Sequence, residues 1–375
     1  MQRILLVSIE GKLGGAERSL LVMVKYLQKY FSIGVACPGR SPLSDELVTM
    51  AVDIYALPKP PRQPYALPFC LFYWPIACVR LLLIVMKLKP EIMHANNLHS
   101  ALIAIFVAIV TRAKLVLHVR DLTKLRLFSK CCVPFADSVI AVSSAVKKRL
   151  LECGTNPKKI RVVYNAIEKN SEQEHLSSWN LFNSCVSQKS VFVFANVGQF
   201  VPWKKHTVFI KAATCVAKEL PNAIFAFVGD DLFGRNVNYK AYLHSCVRNS
   251  GFAERFFFTG WQGEMNEVWP KIDCLVHTAD QEPFGRVVVE AMVNKVPVIA
   301  VDAAGPGEIV SNGITGILLK ANDVTGLSKA MLEIARKQTL RAELSKRAQK
   351  YAIFSFAAEK TMKKILTIYK GILAA

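Results

Sequence analysis

Unbroken apolar runs of strand length punctuate this chain, and between them apolar positions recur at helical spacing. Ile4-Leu5-Leu6-Val7, residues 32–37, Ile92-Met93, Leu115-Val116-Leu117 and Val139-Ile140-Ala141-Val142 show no alternation of apolar and polar side chains, and residues 160–163 add a further short strand. That is the pattern of strands covered on both faces, as in a parallel sheet flanked by helices. The first run leads through Gly11, Gly14 and Gly15 into a helical stretch at 16–24. Strand, glycine-rich loop, helix is the opening of a parallel α/β unit, whose ligand crevice lies at the carboxyl end of the strand. Residues 168–190, rich in Asn, Ser, Gln and Glu, break the alternation and are expected to form an interdomain linker. The pattern then restarts, with runs at 191–197, 223–228, 255–261, 272–278 and 296–300. The expected organisation is a first α/β domain at 1–170, a second at 171–355, and a basic, amphipathic helical tail at 356–375 that crosses back to the first.

Two segments raise the question of a membrane span. Residues 66–88 are strongly apolar and aromatic but contain Pro68, Pro75 and Arg80, and residues 101–110 are too short to cross a bilayer and read as a helix inside a core. No transmembrane helix is expected, and the N-terminal apolar run is too short for a signal-peptide core.

Composition changes the picture in one respect. With 52% hydrophobic and 20% charged residues the chain is globular, but its net charge of +20 calls for an anionic partner: a bilayer surface, nucleic acid or phosphorylated substrates. The loop at 58–68, with Lys59, Arg62 and Tyr65, joins Phe69, Phe72, Tyr73 and Trp74 in a basic and aromatic edge of the kind that touches lipid headgroups. No nucleic-acid recognition motif accompanies the charge, so nucleic acid is not expected as a partner. The 10 cysteines show no metal-ligand spacing, which predicts a reduced cytoplasmic chain without a zinc site.

Polar, titratable residues follow directly on several strands. His94, His118, Arg120 and Asp121 are candidates to line a cleft at the carboxyl edge of the first sheet. In the second half, Lys204 and Lys205 stand on a loop between strand and helix, where a pair of amines can neutralise a diphosphate. Glu282 and Glu290 flank Pro283-Phe284-Gly285 and an apolar run, which puts Glu282 on a loop and Glu290 on the helix that follows. Gly305-Pro306-Gly307 reads as the start of another helix, and two helix N-termini beside one crevice would bind an anion.

Glu282, seven intervening residues and Glu290 resemble the E-x7-E signature of the family 4 retaining nucleotide-sugar glycosyltransferases. Gly14-Gly15-Ala16-Glu17, Val162-Val163-Tyr164-Asn165-Ala166-Ile167, Gly198 with Lys204, Phe227-Val228-Gly229-Asp230 and residues 305–316 are similar to further motifs of that family, in the same order. The resemblance implies a GT-B fold, two Rossmann-like doubly wound domains facing across a cleft, with acceptor on the N-terminal side and donor on the C-terminal side. It implies that Glu282 is catalytic, binding the donor sugar hydroxyls beside the backbone of Phe284 and Gly285. Arg286 would lie among the donor-binding residues, Glu290 on the ribose, Lys204 on the diphosphate, and Gly15 with its backbone toward the same diphosphate. His118 would face the reacting sugar, or Arg120 if the alignment is anchored on Asp121, with His94, Arg120 and Asp121 on the acceptor side. Gln199 stands where the family usually has Arg, and Lys205 where it usually has Gly. No D-x-D occurs, so neither metal nor cofactor is expected beyond the nucleotide-sugar donor. The implied activity is transfer to a hydroxyl of a lipid-linked or polysaccharide acceptor of the cell envelope, at the inner face of the cytoplasmic membrane. The alternative is a catalytically inactive GT-B protein serving as a binding subunit.

Overall fold

The computed structural model describes residues 1–61, 67–122, 125–167, 191–263 and 265–374. The stretch read as a linker, together with Arg62, Tyr65 and the side chain of Phe69 from the basic and aromatic edge, lies outside the described residues. By its internal contacts the chain divides into two compact units, Met1–Glu168 with Phe356–Ala375, and Lys169–Ser355.

The first unit holds strands β1 (Arg3–Val7), β2 (Ser32–Pro38), β3 (Asp53–Leu57), β4 (Ile92–Ala95), β5 (Lys114–Val119), β6 (Ser138–Ala141) and β7 (Ile160–Val162). They form one parallel sheet in the order β3-β2-β1-β4-β5-β6-β7. Its helices are α1 (Gly15–Leu27), α2 (Pro42–Thr49), α3 (Leu67–Leu88), α4 (Leu98–Thr111), α5 (Leu125–Cys131) and α6 (Ser144–Glu152). The strand order reverses between β1 and β4, the point at which an open α/β sheet leaves a crevice beyond its carboxyl ends. Val7 pairs with Ala95, and Ala95 with Leu117, so β1 and β4 end level, β5 runs two residues further, and Asn96, His118 and Arg120 come to that edge.

The second unit holds β8 (Phe192–Val197), β9 (Ala223–Val228), β10 (Phe256–Gly260), β11 (Cys274–His277), β12 (Val298–Val301) and β13 (Ile317–Leu319), parallel throughout in the order β10-β9-β8-β11-β12-β13. Helices α7 (His206–Glu219), α8 (Val237–Arg248), α9 (Arg286–Val293), α10 (Ala304–Ile309), α11 (Val324–Arg336) and α12 (Gln338–Ser355) accompany them. The order again reverses, between β8 and β11, and the loops after those two strands carry the lysine pair and Glu282. Every residue of β8 and β9 is buried, as strands sandwiched between helix layers require, and Phe194, Phe225, Phe227 and Phe256 pack into one aromatic core. The last helix, α13 (Ala358–Ala374), belongs to the first unit, where Met362, Ile365, Leu366 and Tyr369 enter its core beside α1.

The stretch at 66–88 is one continuous helix from Leu67, with Pro75 inside it, and among the described residues no helix is long and apolar enough to cross a membrane. One expectation is corrected. Helix α4 is not enclosed in a core: one face packs inward, while Leu102, Phe106, Ile109 and Val110 are exposed. Its sequence is apolar all round, and periodicity cannot separate a buried face from an exposed apolar one. Helix α10, the helix start read at Gly305-Pro306-Gly307, is six residues long.

Candidate functional site

In the first unit the predicted His94, His118 and Arg120 meet at the switch point of the sheet. Arg120 Nε donates to the Asn96 carbonyl at 3.0 Å and Nη2 to Asn96 Oδ1 at 3.1 Å, while Nη1 donates to Asn165 Oδ1. Arg120 Nη2 also lies 3.2 Å from His118 Nδ1. A guanidinium only donates, so His118 Nδ1 accepts. The same atom is 3.2 Å from His94 Nε2, which therefore carries the His94 proton, and His94 Nδ1 accepts from the Tyr369 hydroxyl at 2.6 Å. The network assigns the remaining His118 proton to Nε2, a buried atom with no hydrogen-bond partner among the described residues. Both rings are neutral: burial first, then the Arg120 charge, lowers His94 to about 3, and burial, Arg120 and His94 hold His118 well below the usual histidine range. His118 is thus built to offer an N–H to an oxygen and not to shuttle protons. Asp121 follows, half-buried, on the loop after β5.

The glycine loop joins this cluster through Asn96, whose amide donates to the Ala16 carbonyl at 3.2 Å. Gly15 is the first residue of α1, and a Cβ built on it would meet nothing within 4 Å. Two residues later Glu17 is buried, with Ser8 Oγ donating to it at 3.3 Å. Burial raises its carboxyl to about 7, against the pull of Arg120 and Ser8. Between pH 4.5 and 7 the folded protein holds a proton there that the unfolded chain has released, so this group's contribution to stability falls as pH rises through that window. Glu17→Gln is expected to escape the loss and to exceed the native chain at pH 8 by up to about 3 kcal/mol. Thermal melts across pH check it; a difference between the two proteins that stays constant from pH 4.5 to 7 would rule out a protonated Glu17.

In the second unit Lys204 and Glu282 form an ion pair, with side chains 12% and 13% exposed. Lys204 ends a short turn, Pro202–Lys204, whose carbonyl accepts from Thr278 Oγ1 at 2.8 Å, and Asn196 in β8 donates to Thr278 at 3.2 Å. The lysine loop is thereby tied to the end of β11. Glu282 sits before α9, whose cap, Gly285, has φ of +97°, a left-handed conformation that glycine adopts without strain. Phe284 turns its ring into the core, leaving its backbone at the loop. His277 Nε2 lies 3.4 Å from Glu282 Oε2, buried beside it, and among the described residues neither ring nitrogen reaches full hydrogen-bonding geometry. Burial opposes the charge on Glu282, but Lys204 and then His277 outweigh it and hold the carboxyl at about 2. Arg286 Nε pairs with Glu290 Oε1 at 2.7 Å, one turn apart on α9.

Lys205 has φ of +55°, which explains glycine as the usual residue of the resemblance at this position; the left-handed backbone of a non-glycine residue costs about 1 kcal/mol. Its amine is 3.8 Å from Asp280. Gln199, half-buried, follows Gly198 at the end of β8. The structure therefore gathers the predicted residues as two clusters, one per unit, each at its sheet's switch point. Tyr369 and Asn165 were missed, since only the fold brings the one to His94 and the other to Arg120, and Asn96, two residues after His94, was missed although it stands at the same strand end. His277, at a strand end five residues before Glu282, carried the same signal as His118 and was legible.

The family model for Glycosyl transferases group 1 matches residues 177–351, and that for Glycosyltransferase Family 4 matches residues 13–170. The chain is similar to N-acetyl-alpha-D-glucosaminyl L-malate synthase of Bacillus anthracis, 25% identical over 240 residues, which are 64% of this chain and 60% of that protein. It is also similar to the lipopolysaccharide core biosynthesis glycosyltransferase LpsE of Rhizobium meliloti (strain 1021), 26% identical over 167 residues, 44% of this chain and 46% of that one. It spans less than two thirds of the length of either relative. Among solved structures it resembles Anabaena HepE in complex with UDP-glucose, with a TM-score of 0.85 and 23% identity over 99% of this chain and 100% of that one. The likeness is one of fold: two parallel-sheet α/β domains of the GT-B type.

Proposed function

The chain belongs to glycosyltransferase family 4, and on that premise we propose that it is a retaining, metal-independent glycosyltransferase of cell-envelope glycan assembly. It moves a sugar from a nucleoside-diphosphate sugar to a hydroxyl of a lipid-linked or polysaccharide acceptor, as a peripheral protein at the inner face of the cytoplasmic membrane. The observation that carries the reading is the Lys204–Glu282 pair at the switch point of the second sheet. Loss of a nucleoside diphosphate requires a cation where charge grows on the phosphate, and Lys204 supplies one. Glu282, ionised throughout the physiological range, accepts hydrogen bonds from sugar hydroxyls and is no proton donor. His118, with its Nε2 proton unpartnered while Arg120 is engaged by Asn96 and Asn165, is the better of the two as a donor to a sugar oxygen. Glu290, oriented by Arg286, holds the ribose, and the backbone of Gly15 approaches the diphosphate. UDP-glucose bound to the Anabaena protein supports a uridine donor, and the lipopolysaccharide role in the name of the Rhizobium relative supports an envelope acceptor.

A thermal-shift screen against UDP, GDP, ADP and their sugar conjugates tests the reading. One nucleotide diphosphate at about 100 times its Kd is expected to stabilise the protein by about 2.7 kcal/mol. Nothing in the fold demands glycine at position 15, so Gly15→Ala is expected to melt like the native chain yet bind the diphosphate about tenfold more weakly, as a Cβ between phosphate and helix N-terminus would impose. No shift with any nucleotide would sink the reading; nucleotide binding without turnover would instead fit the inactive binding subunit, in keeping with Gln199.

A further inference from the structure

We propose that the paired outer faces of α3 and α4 form the surface on which this protein rests against an anionic lipid bilayer. The inference deepens the membrane part of the reading above and stands apart from the transfer reaction. On α3, Phe72, Ile76, Val79, Leu83 and Met86 recur at alternating steps of four and three, so they share one face, and each is between 54% and 72% exposed. The opposite face, with Tyr73, Ala77, Leu81, Ile84 and Val85, is buried. From Phe72 to Met86 the stripe runs about 21 Å. Helix α4 packs alongside α3 and adds Leu102, Phe106, Ile109 and Val110, each at least 44% exposed. Contiguous apolar surface of this extent marks an interaction site.

Charge selects the occupant. Residues 67–114 contain five Lys or Arg and one acid, Glu91, which is engaged by the Arg3 backbone N–H at 2.6 Å. Both helices end where β4 and β5 begin, and Ile92 pairs with Lys114, so Lys87, Lys89, Arg112 and Lys114 collect at one end of the apolar face. Lys87, Lys89 and Arg112 are exposed, and Lys114 lies 3.7 Å from Asp137. A bilayer bearing anionic headgroups would meet these charges while its acyl boundary receives the stripe. Since neither helix is long and apolar enough to cross a membrane, the face lies on the bilayer.

Flotation of the full chain with phosphatidylcholine vesicles, with and without one quarter phosphatidylglycerol, tests this. Binding is expected to the anionic vesicles, weakened at least tenfold by Val79→Ser with Leu83→Ser, which loses apolar contact, and by Lys87→Glu with Lys89→Glu, at roughly fivefold per removed charge. All four positions are exposed and remote from Glu282 and His118 in sequence, so both variants are expected to keep the native melt and the nucleotide-induced shift. A native chain that floats with neither vesicle, or variants that float as well as it does, would overturn the proposal. So would a dimer seen by sedimentation without lipid and dissociated by Val79→Ser with Leu83→Ser, which would make the face a contact between copies. Failure of the nucleotide shift with flotation intact would count against the transferase reading alone.

Discussion

Glu282→Ala is expected to lower donor turnover by about 10²–10³-fold, as removal of a group aligned on the reacting sugar does. The same change leaves Lys204, 12% exposed, without its partner, and breaking a shielded pair from one side costs about 3–5 kcal/mol. Lys204→Met together with Glu282→Ala removes both charges and is expected to recover much of the stability but none of the turnover. Denaturant melts and steady-state kinetics on the three proteins separate the two effects. The pH dependence follows from the same geometry. A carboxyl held at about 2 contributes stability that is complete above the unfolded value of 4.5 and is lost as pH falls through about 2. Glu282 therefore contributes to acid unfolding and adds no limb to the rate profile near neutrality. A basic limb near pH 6, with the rate falling as pH rises, that disappears in Glu282→Gln would make Glu282 a general acid and overturn its assignment as an acceptor.

The sequence carried the frame of this architecture because a parallel sheet buried on both faces leaves unbroken apolar runs, and because its working residues sit where those runs stop. Phe192–Val197 and the residues after it show the rule: six buried positions, then Gly198, Gln199 and the lysine loop. His94 and His118 were legible for the same reason. What could not be read was long-range. Tyr369 lies 275 residues from His94, and its hydroxyl donates to the His94 Nδ1 that the chain anchored on Arg120 leaves as an acceptor. No local pattern in α13 distinguishes it from an ordinary core tyrosine. The outer face of α4 was misread because apolar periodicity reports helix faces and not what covers them. Gly305-Pro306-Gly307 was legible as a helix start, but not in what its glycines make room for. Glycine and proline signal a turn and a helix start, but they do not say whether the missing Cβ makes room for a ligand or for another stretch of backbone.

For Gly305 it is backbone. A Cβ there would lie 2.2 Å from the Phe284 carbonyl oxygen and 2.4 Å from its Cα, distances no side-chain rotation can relieve. The Gly305 N–H also donates to the Glu282 carbonyl at 2.9 Å, so α10 clamps the loop that carries Glu282 and starts α9. Gly305→Ala is expected to destabilise the protein by about 3 kcal/mol or more, since the overpacked atoms are main chain and must move together. Because they move the Glu282 carbonyl and the cap of α9, whatever fraction remains folded is expected to lose donor binding as well. Gly371→Ala supplies the contrast: it lies within α13, a Cβ there meets nothing within 4 Å, and alanine is expected to add about 0.5–1 kcal/mol through helix propensity. Melting temperatures of the two variants and their shifts with nucleotide diphosphate check both. If Gly305→Ala melts within a degree of the native chain and still responds to nucleotide, the clamp does not hold the loop. The position of Glu282 must then be set by Lys204 alone.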